Sequence, residues 1–182
     1  VQDYEAALRN HYSDALYATY RLAMARYNQE DYENAITDFN EVIEREPTDA
    51  NAYYWRGRTK MDSGAYRQGI NDILRALELG YDAPEYAYFF LAKAYDEVED
   101  YDSAIENYTY SLEYTTEDCE TYYCWIDYNN RGTSHYWSGD YASAVEDYTR
   151  AIQANPEEYP LALKNRGDAY VELDKMDLAL SD

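Results

Sequence analysis

A tyrosine followed three residues later by a small residue recurs along this chain at nearly constant spacing. The steps between successive copies are 34, 35, 40 and 35 residues, and a fixed period in this range determines the architecture before any local pattern does. Residues three and four apart lie over one another on a helix, so the pattern marks one face of a repeated helix. The copies begin at Tyr32, Tyr66, Tyr101, Tyr141 and, with methionine in place of tyrosine, Met176, and their small residues are Ala35, Gly69, Ala104, Ala144 and Ala179.

A second small residue lies nine positions before the start of each copy, in the middle of another helical stretch. Glycine inside a helix costs about 1 kcal/mol relative to alanine, so its recurrence there indicates that two helices approach closely. Turn signals such as SGAY and SGDY separate the two stretches, and Pro47 and Pro156 are placed to end the second helix. Each unit is therefore predicted to be two antiparallel helices. The small residues of the first helices are Ala23, Gly57, Ala92, Gly132 and Gly167.

The repeated pattern resembles the tetratricopeptide repeat, a family whose unit is a helical pair of 34 residues with small residues at fixed places. The resemblance covers about residues 14 to 182 and rests on several copies in register. It implies an all-α fold, a right-handed α-solenoid of antiparallel helical hairpins. The residues that carry the resemblance are Gly57, Tyr66, Gly69, Leu91, Ala92, Tyr95, Tyr101, Ala104, Gly132, Tyr141, Ala144, Pro156, Gly167, Tyr170 and Ala179.

The resemblance makes residues 1–182 one array of repeat units. The chain departs from the family's pattern in places: Arg26 and His135 replace the usual aromatic residue of the first helix, Gly69 replaces alanine, and the third unit has no closing proline. We expect the packing to differ locally at these positions. The predicted units are approximately 1–13 (partial), 14–49, 50–83, 84–118, 119–158 (with a loop insertion) and 159–182 (partial).

The charge of the chain excludes two classes of partner. Asp and Glu total 37 against 15 Lys and Arg, for a net charge of -22, and both nucleic acids and anionic lipids repel such a surface. We therefore expect no nucleic-acid partner. No apolar run approaches the ~20 residues needed to span a bilayer, so no membrane insertion is expected either.

The sequence contains none of the motifs that mark common catalytic or cofactor sites. Phosphate-binding glycine loops, the zinc motif HExxH, the nucleophile motif GxSxG and calcium loops are missing. Neither His11 nor His135 lies near a cysteine or an acid at metal-ligand spacing, so both are interpreted as surface or packing residues. The sequence thus predicts a protein that is not an enzyme and that needs no metal or cofactor.

The resemblance also implies where a partner would bind, since members of this family hold ligands on the first helices of the hairpins. A protein or peptide partner is expected there, as an extended or helical segment with apolar and some acidic side chains. The family's clamp for chaperone tails is not reproduced, because Tyr20 and Met24 occupy its places in the first unit. The predicted groove residues are Tyr17, Tyr20, Tyr54, Arg58, Tyr86, Phe89, Lys93, Asn129 and Lys164.

Two features favour an extracellular or periplasmic location over a cytoplasmic one. Cys119 and Cys124 bracket the loop insertion, where they form either a disulfide or two free thiols; two cysteines without a histidine pair do not complete a zinc site. A disulfide would place the protein in an oxidising compartment, extracellular or periplasmic. Asn107 with Thr109 forms one glycosylation acceptor, although it falls on a predicted helix.

The two ends of the sequence suggest an alternative function. The final DKMDLALSD followed by the initial VQDYEAALRN reads as one continuous helix, which predicts copies that meet head to tail or one period of a longer array. Contacts that do not close on themselves generate filaments. The alternative to a binding scaffold is therefore a structural subunit of an extracellular filament; an ordinary scaffold trimmed at its ends would give the same sequence.

Overall fold

The computed structural model describes residues 15–114, 124–155 and 160–182. Within these ranges the chain forms ten α-helices and no β-strand. The predicted all-α class is thus confirmed. The helices are α1 (Ala15–Tyr27), α2 (Tyr32–Arg45), α3 (Ala50–Asp62), α4 (Tyr66–Glu78), α5 (Pro84–Glu97), α6 (Tyr101–Tyr114), α7 (Cys124–Ser138), α8 (Tyr141–Ala154), α9 (Pro160–Glu172) and α10 (Met176–Ala179).

Consecutive helices pair into five hairpins, and the repeat pattern fixes where the second helix of each begins. The four tyrosines and Met176 that open the sequence copies are the first residues of α2, α4, α6, α8 and α10. Two residues before each of them the chain turns with a positive φ. Glycine, which adopts that region without a Cβ penalty, occupies the position at Gly64 and Gly139, whereas acidic residues occupy it at Glu30, Glu99 and Asp174.

The hairpins fall into two compact units that divide between Ala83 and Pro84. In the first unit α1 packs on α2, α2 on α3 and α3 on α4, and α1 also touches α3. In the second unit each helix from α5 to α10 packs on the next, and α7 also touches α9. Within each unit, a hairpin therefore buries its apolar residues against its neighbours in sequence.

Small residues lie where the two helices of a hairpin cross. A Cβ added to Gly57 would come within 2.7 Å of Ile73 Cγ1 and 3.0 Å of the Gly69 carbonyl oxygen, so that crossing has no room for a methyl group. The fifth hairpin is looser, because a Cβ on Gly167 would meet nothing nearer than the Ala179 carbonyl oxygen at 3.5 Å. The close approach predicted from the recurrent glycines is confirmed at Gly57.

In three of the five hairpins an arginine on the first helix is joined to an aspartate, which is buried on the second helix in two of them and follows the end of α10 in the third. In each case Nε and Nη2 donate to the two carboxylate oxygens, and Nη1 donates to a residue on the second helix of the preceding hairpin. Such bidentate pairs fix geometry as well as charge. We call this arrangement the arginine clamp. Its members are Arg56, Asp72 and Asn40; Arg131, Asp147 and Thr109; and Arg166, Asp182 and Thr149.

The two hairpins without the clamp replace it in different ways. In the third hairpin Leu91 and Asn107 occupy the places of the arginine and the aspartate, so the pair is lost on both sides at once. In the first hairpin the aspartate remains as Asp38, and Arg26 donates to both of its oxygens at 2.6 Å. The charged residue that departs from the family's aromatic position thus supplies the missing partner.

In the fourth hairpin His135 also replaces the family's aromatic residue, and it too lies beside the aspartate of its hairpin. Its side chain is 18% exposed, and its Nε2 lies 3.9 Å from Asp147 Oδ2, beside the arginine clamp. Burial lowers the pKa of His135, although the charges of Asp147 and Asp140 oppose that shift. His135 is therefore a packing residue next to an aspartate, while His11 lies outside the described residues.

The structure bears differently on the predicted disulfide and on the predicted glycosylation. Cys119 lies outside the described residues and Cys124 is buried in the first turn of α7, so the disulfide stays a prediction. Asn107 is 8% exposed on α6, and its Nδ2 donates to the Ser103 carbonyl oxygen at 2.8 Å. This placement argues against the predicted glycosylation, because the atom that would bear the glycan is enclosed and already bonded. Across the described helices, none is long and apolar enough to cross a membrane.

Candidate functional site

The first helices of the first unit form the wall of a cleft near the start of α3. The cleft encloses about 300 Å³. Leu16 and Val42 give it apolar surface, and Glu46 and Asp49 line it with carboxylates. The predicted groove residues Tyr17 and Tyr20 both contribute, and Tyr17 is the more accessible at 56% exposed. Burial, with a smaller contribution from the Asp49 charge, raises the pKa of Tyr20 to about 12, so its hydroxyl stays neutral.

The other two predicted residues of this unit are tied to the protein itself. Tyr54 is 3% exposed and stacks on Tyr81 with ring centroids 4.2 Å apart. Arg58 Nη2 donates to the Tyr27 hydroxyl at 3.2 Å, and that hydroxyl donates to Asp62 at 2.7 Å. Tyr54 and Arg58 therefore support the surface rather than offer free groups to a partner.

In the second unit, the predicted residues on α5 form a small aromatic and cationic patch. Tyr86 is 45% exposed. Lys93 Nζ lies 5.8 Å from the centroid of the Phe89 ring, within the range of a cation–π contact. Phe89 also meets the buried Tyr108 edge-on, so only part of the patch faces outward.

The predicted residues on α7 and α9 are placed differently from one another. Asn129 is 9% exposed, and its Oδ1 accepts from Asn165 Nδ2 at 3.3 Å, so it joins two first helices. The Lys164 side chain is 70% exposed, but its Nζ donates to Asp168 at 2.8 Å. The cation expected to attract acidic side chains is thus partly neutralised by its own helix.

Trp137, near the end of α7, is the most exposed aromatic side chain among the described residues, at 62%. It lines two clefts, which also share Thr133. One, of about 250 Å³, includes Tyr136, Tyr148, Lys164, Asn165 and Asp168. The other, of about 320 Å³, includes Asp96, Glu97, Glu99 and Tyr101. We call the two clefts and the indole between them the Trp137 face.

The sequence contained a signal for Trp137 that the groove prediction missed. The corresponding residue, four positions before the start of the second helix, is polar in every other copy of the repeat. A tryptophan at a place that is polar in the other copies, with clefts on the same surface, is a candidate contact residue, because tryptophan is enriched among the residues that carry binding energy at interfaces. The polar residues at this position are Asn28, Asp62, Glu97 and Glu172.

The electrostatic character of the clefts is acidic. Carboxylates line the cleft of the first unit and both clefts of the Trp137 face, and the single cation that lines any of the three is Lys164, paired with Asp168. Asp96 is half-buried, and it accepts from the Tyr108 hydroxyl at 3.0 Å and from Ser134 Oγ at 2.7 Å. Burial raises the pKa of Asp96, against these hydrogen bonds. The described residues contain no group of three or more His, Cys, Asp or Glu that could hold a metal ion.

About half of the chain is similar in sequence to a segment of a longer curated protein. It is 31% identical over 94 residues to the Hsp70-Hsp90 organizing protein of Triticum aestivum. The match includes 48% of this chain, but only 15% of the length of that protein. The similarity therefore concerns a part of the relative and not its whole activity.

Solved structures share the fold at low sequence identity. MamA superposes with a TM-score of 0.82 at 20% identity, over 93% of this chain and 88% of that chain. MamA from Desulfovibrio magneticus RS-1 gives 0.81 at 16% identity, over 91% and 89%. YrrB, described as a TPR protein with an unusual peptide-binding site, gives 0.80 at 16% identity, over 98% and 87%.

Family models match three separate stretches of the sequence. Tetratricopeptide repeat models match residues 85–117 and 127–158, and a TPR repeat model matches residues 23–64. These stretches include hairpins of both compact units and agree with the helix starts in the structure. The chain therefore belongs to the tetratricopeptide repeat family.

Proposed function

We propose that this chain is a non-catalytic protein-interaction scaffold that binds a segment of a partner protein on the Trp137 face. The observation that carries the proposal is the exposed indole of Trp137, which stands between two clefts at a position that is polar in the other repeats. A few residues carry most of the binding energy of a protein interface, and tryptophan is enriched among them. Because Trp137 lines both clefts, an extended segment can place neighbouring side chains in each of them beside the indole.

The family supports a protein-binding role in general, and the charges around the clefts support a narrower proposal for the chemistry of the partner. The sequence predicted a segment with apolar and some acidic side chains, on the strength of cations in the groove. Arg58 and Lys164 are already engaged by Asp62 and Asp168, and the clefts are lined by further carboxylates. We therefore infer a partner segment with apolar residues and without acidic ones. A chaperone tail of the acidic kind does not fit this surface.

Selection from a random peptide library displayed on phage tests the proposal. The wild-type protein is immobilised, and enriched peptides are counter-screened against Trp137→Ala. Tyr114→Ala is the matched control, because Tyr114 is also an aromatic residue of the second unit, 55% exposed, that lines neither cleft. We expect peptides that bind the wild type and Tyr114→Ala but lose at least about tenfold in affinity on Trp137→Ala. Selected peptides that bind all three proteins equally would contradict the proposal.

A second candidate function, self-association, is favoured by the last hairpin. Leu180 is 80% exposed, although the residues at the same repeat position, Ile36, Ile70, Ile105 and Val145, are buried or half-buried. Met176 and Leu178 on α10 are also exposed, at 54% and 46%. The second helices α2, α6 and α8 each pack on the first helix of the next hairpin. We propose that a second copy of the chain supplies the helix that covers the exposed apolar residues of α10. Repetition of such a contact would build the filament that the sequence suggested.

Sedimentation velocity over a range of protein concentrations tests this second candidate. We expect the wild type to form larger species as concentration rises and Leu180→Glu to remain a monomer. Asp177→Asn, on the same helix, is the control for changes that leave the apolar face intact. A wild-type protein that stays monomeric at the highest concentration would exclude head-to-tail assembly of this chain.

A further inference from the structure

The cleft between the turn that follows α5 and the end of α7 combines an aromatic wall with a carboxylate rim. Trp137 and Tyr101 supply the aromatic surface, and Glu97 and Glu99 are exposed beside it. Asp96 lies deeper and is held by the hydroxyls of Tyr108 and Ser134. The rim glutamates have no such hydrogen-bond partners among the described residues, so their carboxylates are available to a ligand.

Little positive charge from the described residues balances this rim. Lys93, four residues before Glu97 on α5, contributes the part that opposes the rise in the pKa of Asp96. Lys and Arg are absent from the residues that line the cleft. The nearby arginine of α7, Arg131, is committed to Asp147 through two hydrogen bonds of 2.7 Å. Lys164, which lines the other cleft, is paired with Asp168. The chain as a whole has a net charge of -22, which steers cationic partners toward it and repels anionic ones.

Aromatic surface beside uncompensated carboxylates is the combination that recognises a lysine or arginine side chain. The aliphatic part of such a side chain covers apolar surface while its charged end stays near water. An indole attracts the cation through its electron-rich face, and carboxylates attract it by charge. A neutral apolar side chain would gain only the first of these three contacts.

We propose that the Trp137 face binds a basic side chain of its partner, a lysine or arginine held between the indole of Trp137 and the carboxylates of Glu97 and Glu99. This inference rests on the proposed function, because it assigns the chemistry of the partner at the same face. It predicts a sequence preference, a charge dependence and a salt dependence. The neighbouring cleft of Tyr136 and Tyr148 then takes an apolar side chain next to the basic one in the partner segment.

The phage selection described above provides the probes, and synthetic peptides give the affinities. One Trp137-dependent peptide is made as selected and with each basic residue replaced by norleucine, and binding is followed by Trp fluorescence or calorimetry. The protein variants are Glu97→Gln with Glu99→Gln, and the matched control Glu113→Gln with Glu146→Gln, two exposed glutamates of the same unit outside the clefts. Circular dichroism confirms that each variant is folded.

We expect Trp137-dependent peptides to be enriched in lysine and arginine. Either the norleucine replacement or the Glu97→Gln and Glu99→Gln pair should weaken binding by about five- to thirtyfold, and the combination should weaken it little further. The control pair should leave affinity within about twofold, and added salt should weaken only the basic peptide. Trp137-dependent peptides without basic residues, or affinities unchanged by the Glu97 and Glu99 variants, would overturn this inference and leave the proposed function standing. Absence of any Trp137-dependent peptide would overturn both.

Discussion

Arg131 donates two hydrogen bonds to Asp147, from Nε to Oδ2 and from Nη2 to Oδ1, and both are 2.7 Å long. Asp147 is 3% exposed, and the Arg131 side chain is 13% exposed. Burial lowers the pKa of Arg131, but the hydrogen bonds and the charge of Asp147 outweigh that and leave it raised. The pair is therefore ionised and enclosed at the crossing of α7 and α8. Such pairs contribute little relative to an apolar pair, but they cost much when one member is removed.

The third hairpin supplies a natural comparison for this pair, because it has Leu91 and Asn107 at the same places. We expect Arg131→Leu alone, or Asp147→Asn alone, to lower the free energy of unfolding by about 3 kcal/mol, since each leaves a buried charge or donor without its partner. The double variant should lose only about 1 kcal/mol, as the third hairpin shows that the apolar and amide pair is compatible with the fold. Urea unfolding of the four proteins measures these values. Losses that simply add would contradict the account of the clamp.

The positive-φ turns provide a test of backbone strain. Glu30 adopts φ 60 at a place where the second hairpin has Gly64. A side chain in that region costs about 1 kcal/mol, so Glu30→Gly should raise the free energy of unfolding by about 0.5 to 1 kcal/mol after the added flexibility of the unfolded chain is counted. Gly64→Ala should lower it by a similar amount. The two melting temperatures are expected to move in opposite directions, and movement in the same direction would refute the prediction.

The two classes of helix crossing give opposite predictions for glycine-to-alanine substitutions. Gly57→Ala places a methyl group within 2.7 Å of Ile73 and 3.0 Å of a carbonyl oxygen, and overpacking of this kind costs about 1 to 3 kcal/mol. At Gly167 the nearest atom is 3.5 Å away, so Gly167→Ala should stabilise its helix by about 0.5 to 1 kcal/mol. Thermal unfolding of both variants separates the cases. A destabilised Gly167→Ala variant would show that the fifth hairpin is packed as tightly as the second.

We expect Asp127 to make the stability of the fold depend on pH. Its carboxyl is 1% exposed, Ser111 Oγ lies 2.7 Å from Oδ2, and Oδ1 has no hydrogen-bond partner among the described residues. Ser111 Oγ also lies 3.0 Å from the Glu85 carbonyl oxygen. Because the hydroxyl has one hydrogen, both contacts are satisfied when a protonated Asp127 donates to Ser111 and Ser111 donates to Glu85. Burial raises the pKa of Asp127 to about 7, against the hydrogen bond that Ser111 can donate to the ionised carboxylate and against the charge of Arg131.

A carboxyl with a raised pKa stabilises the fold below the pKa of the unfolded chain, and that stabilisation is lost as pH rises toward the folded value. We expect the free energy of unfolding of Asp127→Asn to be nearly equal to that of the wild type near pH 4. Near pH 8 it should exceed the wild-type value by about 2 to 4 kcal/mol. Urea unfolding at a series of pH values measures the difference. A difference in the free energy of unfolding that does not change with pH would show that the pKa of Asp127 is not raised in the folded state.

The hairpins were predictable because their signals are local and repeated. Each second helix begins at the residue that opens a sequence copy, from Tyr32 to Met176, and Gly57 lies at the close crossing that its recurrence indicated. The period alone determines these features, since a unit with a fixed spacing must place equivalent residues in equivalent environments. The match of tetratricopeptide models over much of the chain reports the same regularity.

The candidate site was predicted less well because it depends on contacts between side chains that the period does not describe. Family positions placed Tyr54 and Asn129 in the groove, but a tyrosine stack buries the first and an amide contact between neighbouring helices occupies the second. Trp137 lies outside those positions. It could be found only by aligning the repeats of this one sequence, because the equivalent residue is polar in every other copy.

The third hydrogen bond of the arginine clamp has a further consequence for the modularity of the chain. Arg56, Arg131 and Arg166 each require an oxygen acceptor on the hairpin before them, and Asn40, Thr109 and Thr149 provide it. Leu91 makes no such demand. A clamp-bearing hairpin transplanted behind a predecessor with an aliphatic residue at that place would leave a guanidinium proton unmatched, whereas the Leu91 hairpin would tolerate either neighbour. The clamp therefore restricts which hairpin can precede which. In rearranged or recombined arrays, we expect junctions that supply the oxygen acceptor to be more stable than junctions that lack it.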